Sequence, residues 1–310
     1  MKKIRTALIV GAAGLCSGLA LADTGKLLLT GGVSSIDGAA GGGLTPWAVI
    51  GTNATEGEIG FSANLTRATT QDYALNTMGA AIGFKDRVEL SLARQDFDAS
   101  PAVALNGIAA FGVQPGQHIK MDIVGLKVRV AGDAILNSDS WMPQLAVGVE
   151  EKSVDSGSLS SVLSFLGAKT SGTDFYVSAT KLFLAQSVLV NGTLRYTNAN
   201  QNGLLGFGSN GPGKNEGSWV PEVSVAYLLS KNVAIGAEYR VKPNNLEAMG
   251  LAAGLGDALA EDDWKDLFIA WAPNKNASIT LAYVDLGRVV PGITAGRKQT
   301  GYYLSAQLAF

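Results

Sequence analysis

The sequence predicts an all-β fold, an antiparallel up-and-down β-barrel that crosses a membrane. Three observations carry this. First, the 310 residues include 39 Gly, only 16% charged side chains and 47% hydrophobic ones, with a mean hydropathy of +0.19. The charged share lies well below the roughly 25% of an ordinary soluble domain, and so apolar a chain is not disordered. Second, beyond the first 22 residues no stretch is continuously apolar over the about 20 residues a spanning helix needs. The longest uncharged candidate, 99–117, is broken by Pro101, Asn106 and Pro115. Third, the chain divides into segments of about 10 residues whose apolar side chains recur at every second position, as in strands facing lipid on one side and a lumen on the other.

The elements follow in order. Residues 1–22 read as a cleaved export signal: Lys2, Lys3 and Arg5 precede an apolar core from Ala7 to Leu21, and Ala20-Leu21-Ala22 is an A-x-A cleavage site. The only cysteine, Cys16, lies inside it behind Leu15, which does not suit a lipoprotein signal. Residues 23–310 then form a single barrel domain without disulfides or thiol chemistry. Without the three leader cations, 21 Lys+Arg face 26 Asp+Glu, a net charge of −5, which speaks against nucleic-acid binding.

Alternation is clearest in 231–241, where Val233, Ile235, Ala237, Tyr239 and Val241 share one face and Asn232, Ala234, Gly236, Glu238 and Arg240 the other. The same pattern marks 58–66, 86–95, 141–150, 187–197, 219–229 and 276–285. It is noisier in 73–85, 118–131, 173–184 and 263–273. Small residues leave room beside the long polar side chains of a lumen, which accounts for many of the glycines. Trp47, Trp141, Tyr196, Trp219, Tyr227, Tyr239, Trp271 and Tyr283 fall near expected strand ends, where amphipathic rings form the aromatic girdles of a barrel. A soluble sandwich gives no such reason for aromatics at its strand ends.

Short connections (85–87, 131–139, 184–187, 230–232, 273–276) alternate with long ones (96–117, 152–172, 198–216, 242–262, 286–298), as periplasmic turns alternate with outer loops. Counting back from Phe310 to Gly43 gives 13 strands. Closure with both ends on one side needs an even number, and Lys26–Val33 supplies a fourteenth. The alternative is 12 strands with 24–43 entering the lumen as a plug; 14 is preferred. Leucines at helical spacing in the outer loops (Leu159, Val162, Leu163, Leu166; Leu246, Met249, Ala253) and an apolar patch at 101–111 predict short helices folded into the mouth, as packing or as an apolar binding patch.

The strand phases place five acids and five bases in the lumen: Glu58, Glu89, Glu150, Glu222 and Glu238 with Arg87, Lys127, Arg129, Arg195 and Arg240. They read equally as a structural ion-pair ladder or as a solute-selecting constriction. Catalysis is not expected. His118 is the only histidine, and no serine is locally paired with it. The run 208–215 approximates a phosphate loop but lacks Ser or Thr after Lys214 and has no strand–helix setting. With one histidine and no cysteine in the barrel, neither a transition-metal site nor a cofactor is expected.

The C-terminus alternates Tyr302, Leu304, Ala306, Leu308 and Phe310 with smaller or polar residues. It resembles the last strand of Gram-negative outer-membrane barrels, the insertion signal read by the barrel-assembly machinery. Together with the leader and the run from Gly31 to Trp47 (GGVSSIDGAAGGGLTPW), it resembles a porin-like family of uncharacterised Gram-negative outer-membrane β-barrel proteins, domain of unknown function 3034. The resemblance spans the barrel domain. It implies an outer-membrane location among lipids and supplies no substrate and no catalytic residue. The expected function is passive passage of small solutes, including hydrophobic ones. The alternatives are a closed structural or surface-interaction barrel and, more remotely, a lipid-modifying enzyme.

Overall fold

The structure is a computed structural model describing residues 26, 28, 29, 31–55, 57–102, 104, 105, 112–134 and 141–310. The expected leader lies outside these residues. Twelve strands close into one antiparallel barrel: β3 (Ile59–Thr69), β4 (Ala74–Phe84), β5 (Val88–Asp98), β6 (His118–Ala131), β7 (Gln144–Asp155), β8 (Ser171–Phe183), β9 (Val188–Thr197), β10 (Ser218–Ser230), β11 (Val233–Arg240), β12 (Trp264–Asn274), β13 (Ala277–Arg288) and β14 (Lys298–Ala309). Closure pairs β14 with β3, from Tyr302 opposite Thr69 to Ala309 opposite Ser62. Phe61 and Phe310 exchange backbone hydrogen bonds of 3.0 and 2.7 Å at the seam.

The preferred count of 14 strands is therefore corrected to 12. The segment before Ile59 joins no ladder of the wall. A two-residue hairpin, β1 (Val33–Ser34) with β2 (Ala40–Gly41), is its only strand pairing among the described residues. Residues 33–52 are buried almost throughout, so this segment is the lumen plug that the alternative foresaw. Its glycines allow close passage: a Cβ on Gly41 would lie 1.9 Å from the Thr45 carbonyl oxygen, and one on Gly42 would lie 2.2 Å from the Glu238 carboxylate. Trp47 belongs to the plug and not to a girdle, with its indole Nε1 donating to Ser224 Oγ at 3.0 Å.

The wall inverts the pattern of a water-soluble protein. Its exposed face carries Leu65, Leu90, Leu126, Val177, Leu194, Val225, Ile269 and Leu304, while Asn64, Glu89, Lys127, Ser178, Arg195 and Ser305 are buried inside. Period-2 side-chain alternation in a sheet wrapped around its own polar interior gives this arrangement, and so broad an exposed apolar band is a lipid-facing surface. Rings rim both ends of that band: Tyr196 against Trp219 at 5.2 Å and Tyr283 against Tyr302 at 5.9 Å toward one end, Trp141 against Phe183 at 6.4 Å at the other. Within β14 and the residue after it, Tyr302, Leu304, Leu308 and Phe310 all lie on the exposed face.

Long connections gather at one end, the loop end, and short turns at the end where the chain terminates. The exception is the β3–β4 connection, residues 70–73, which leaves the rim low on the loop side. Short helices at Ser160–Phe165, Asn245–Ala252 and Pro291–Thr294 cap the loop end. Leu159, Leu163, Leu166 and Leu246 turn inward and are buried. Of the patch at 101–111, Ala102 and Leu105 are buried, and 103 and 106–111 lie outside the described residues.

Candidate functional site

An irregular segment at membrane depth must find every backbone partner inside the protein. The plug finds many of its partners on wall side chains. Glu89 accepts from the Ala40 and Gly51 amides at 3.0 and 2.7 Å. Lys127, 3.0 Å from Glu89, donates to the Ala40 and Val49 carbonyls at 2.9 Å each. Glu238 accepts from the Leu44 amide at 2.7 Å and from the Thr45 and Ser224 hydroxyls at 2.6 Å each. Thr193 and Asn191 hold the Pro46 carbonyl. Thr180 and Gln144 hold the two sides of Ala48, and Gln95 holds the Ile36 carbonyl at 2.7 Å.

Above this clamp, β7 to β11 each contribute a charge to one buried network. Arg195 lies 2.7 Å from Glu150, 3.2 Å from Asp174 and 2.6 Å from Glu222. Arg240 reaches Glu222 at 3.3 Å and the plug residue Asp37 at 3.0 Å. Lys152 reaches Asp174 at 2.9 Å, Glu150 at 3.4 Å and Asp37 at 3.6 Å. Asn202, from the loop after β9, donates to Asp37 at 2.7 Å and accepts from Arg240 at 2.6 Å and Lys152 at 3.1 Å. Burial alone would raise the Asp37 carboxyl, but Lys152, Arg240 and Arg195 outweigh it and hold that carboxyl well below the ordinary range.

Seven of the ten lumen residues expected from the sequence are thus buried in the plugged interior: Glu89, Lys127, Glu150, Arg195, Glu222, Glu238 and Arg240. Glu238 and Arg240 form no ion pair with each other; they hold the amide and the carbonyl of the plug residue Leu44. The other three lie at the turn end. Glu58 accepts from the Thr55 amide and hydroxyl, Arg87 is exposed in its turn, and Arg129 pairs with Asp86 at 2.7 Å, beside Lys26. Period-2 reading gives the face of a residue but not its height along the barrel, so these three leave the central network. Sequence reasoning missed Asp37, Lys152 and Asp174. Lys152 falls in the expected loop 152–172, but β7 continues to Asp155. Asp37 sits in a Gly- and Ala-rich run without period.

The opposite half of the loop-end lumen is apolar. A partly open cavity of about 150 Å³ lies between the plug and the loops. Wall residues Leu75, Phe97, Ile119, Trp264 and Leu286 line one side, and loop residues Leu159, Leu163, Leu204, Leu246 and Ile293 cover the other. Where the two halves meet, Lys242 stands 4.1 Å over the Trp264 ring and 3.6 Å from Glu261. Burial, only partly offset by Glu261, pushes the Lys242 ammonium down to about 8. Burial likewise raises the Glu261 carboxyl against the pull of Lys242. Across the mouth, Gln299 accepts from the Thr70 hydroxyl and the Asp72 amide at 3.0 Å each and donates to Asp72 at 2.7 Å. It thereby latches the low 70–73 turn to the start of β14.

His118 is half exposed at the start of β6, 2.7 Å from Asp96 and 3.6 Å from Asp98. No serine hydroxyl bonds its ring among the described hydrogen bonds. Residues 208–215 form part of a loop between β9 and β10, with no strand–helix unit around them.

The family model described as "Protein of unknown function (DUF3034)" matches residues 30–307. A comparison with curated proteins finds no match. Among solved structures, the NanC porin aligns with a TM-score of 0.50 at 7% identity, covering 81% of this chain and all of that one. An outer membrane channel from Pseudomonas putida F1 aligns at 0.45 and 11% identity (83% and 96% covered), and outer membrane phospholipase A from Escherichia coli at 0.41 and 9% (81% and 91% covered). The fold is that of porin-like outer-membrane β-barrels.

Proposed function

The chain belongs to the DUF3034 family, and from its geometry we propose that it is an outer-membrane channel that admits small apolar solutes at its loop end. The observation that supports this reading is the partly open apolar cavity of about 150 Å³ at the loop end. An apolar cavity of about that size accepts one small ring such as benzene. A barrel that only had to be closed would gain stability by filling it. In the form described here the plug occludes the lumen, so onward passage requires the plug to shift.

The test uses vesicles whose outer leaflet is lipopolysaccharide, with entry of naphthalene followed by its fluorescence. Entry should be faster with the wild type than with Ala68→Phe, which places a ring at the cavity wall. Equal rates for two folded proteins overturn the proposal. The wired plug favours a second reading, a closed structural barrel. Glu238→Gln with Arg240→Met separates the two, because a purely structural network predicts lost heat stability and no change in conductance or flux.

A further inference from the structure

One wall strand breaks the polar character of the lumen. Inward rows elsewhere carry polar side chains along much of their length, as Ser62, Asn64 and Thr66 do on β3 and Asn191, Thr193 and Arg195 on β9. The buried face of β12 instead reads Trp264, Asp266, Phe268, Ala270 and Ala272 from the loop end to the turn end. Trp264, Phe268 and Ala270 belong to one continuous apolar cluster, which takes in Leu44 and Trp47 of the plug and reaches Leu189 and Ala226. The loop-end cavity meets this strand at Trp264. A second apolar pocket, of about 20 Å³, meets it at Phe268 and Ala270 on the turn side. Trp264 and Phe268 share a face four residues apart, about 13 Å along the strand. Between the two spaces stands a thin piece of plug, since Leu44 lines the cavity and Gly42 lines the pocket. Asp266, the one polar residue of the row, faces Glu238 across the ladder at this level.

This piece is the tip of a tight turn. The Trp47 amide donates to the Ala40 carbonyl at 3.0 Å to close its base, and the Gly42 amide donates to the Thr45 carbonyl at 3.0 Å across its tip. Base and tip are held by different groups. Glu89 and Lys127 fix Ala40, and Thr193 fixes the Pro46 carbonyl at 2.7 Å. The tip hangs on Glu238, which takes the Leu44 amide and the Thr45 hydroxyl, on Arg240 at the Leu44 carbonyl, and on the Ile36 amide at the Gly43 carbonyl. Gly42 and Gly43 carry no side chains to clear and have the freest backbone of any residue. Resting on the proposed function, we infer that the tip 42–45 is the gate of the channel and Glu238 its catch, and that an apolar solute crosses from the loop-end cavity to the turn-end pocket along β12, past Phe268. Swinging the tip breaks its bonds to Glu238, Arg240 and Ile36 and leaves the base on its anchors, so the route opens without release of the whole plug.

The experiment fastens the tip to the wall. The Thr45 and Ser224 hydroxyls are in hydrogen-bond contact, a spacing that suits a disulfide. Thr45→Cys with Ser224→Cys, in a full chain carrying Cys16→Ala, is crosslinked by mild oxidation and released with dithiothreitol, and naphthalene entry into the lipopolysaccharide vesicles is followed in both states. Entry should be lost in the crosslinked protein and return on reduction, with naphthalene binding to the protein in amphipol the same in both. Ala270→Leu, which fills the turn-end pocket and does not touch the cavity, tests the path without a crosslink: entry should slow while binding is kept. Equal entry before and after reduction of the crosslink overturns the inference and leaves the proposed function standing. Wild-type entry in folded Ala270→Leu, or loss of binding together with entry, overturns it as well. No entry through the wild type or the reduced variant overturns the proposed function itself.

Discussion

Lys127→Met tests whether the wall holds the plug. Lys127 Nζ makes three contacts at once: Glu89 at 3.0 Å and the carbonyls of Ala40 and Val49 at 2.9 Å each. Methionine keeps the length of the side chain and loses all three. Two hydrogen bonds from a charged donor are together worth about 3–6 kcal/mol. Breaking one partner out of a buried pair costs about 3–5 kcal/mol, because the remaining carboxylate is left uncompensated. These figures describe the same atoms and do not add, so a loss of about 3–5 kcal/mol in the free energy of plug release is expected. Hydrogen exchange of the peptide covering 38–52 reads this directly, since the Ala40 and Gly51 amides are bonded to Glu89. Their exchange should accelerate by roughly 10²- to 10⁴-fold, with the strands of the wall still protected. Glu89→Gln in the Lys127→Met background should add much less than it costs alone, since the two share one interaction. Unchanged exchange in a folded Lys127→Met barrel would refute the clamp.

Lys242 gives a pH dependence of definite sign. Its folded value falls from the ordinary 10.5 to about 8, so the unfolded chain binds more protons between those limits and stability rises with pH there. The penalty is full below about pH 8 and absent above about 10.5, a difference of about 3 kcal/mol; urea midpoints from pH 7.5 to 10 should climb in the wild type and stay flat in Lys242→Met. Gln299→Ala removes the side-chain partner of the Asp72 amide and one partner each of the Thr70 hydroxyl and the Asp72 carboxylate. Since Thr70 and Tyr73 line the cavity, it should speed association and dissociation of naphthalene alike, leaving the affinity within about threefold, and stopped-flow rates identical to the wild type would show that the 70–73 turn does not gate the cavity. Phe310→Ala keeps the backbone pairing to Phe61 but removes the terminal ring of the insertion signal; assembly into native outer membranes should slow severalfold, while the melting point of what does assemble changes little.

How much of this was legible in the sequence depends on what alternation can encode. All twelve wall strands stand within a few residues of where period 2 places them, because a one-residue slip would turn a polar row such as Asn191, Thr193 and Arg195 toward lipid. Alternation breaks where the outward face turns polar, as at exposed Glu151, and β7 accordingly runs five residues past the expected end at Glu150, which hid Lys152. The plug was legible only as a choice between a first strand and an insertion. Its 33–50 run has no period, because its partners are side chains on many strands and not a neighbouring ladder. Asp37 is the clearest loss: one acid in a Gly- and Ala-rich run gives no hint that three cations converge on it. The loop leucines announced an apolar mouth, but a cavity is a failure of packing among residues far apart in sequence, and no local pattern carries it.

The division of the lumen constrains how the plug can move. Its contacts with β7 to β11 are many and directional: Gln144, Thr180, Asn191, Thr193, Ser224, Glu238 and Arg240 all bond its backbone or side chains. Toward the cavity it presents Ile36 and Leu44, whose dispersion contacts have no preferred direction. A bound solute can replace those contacts with its own, and it cannot replace the hydrogen bonds on the other side. Glu89, Gln95, Lys127 and Gln307 hold the plug on β5, β6 and β14 as well, so any displacement of the whole plug toward the cavity must break hydrogen bonds there too. Asp37 sets a further limit, since moving it leaves Lys152 and Arg240 without their anion.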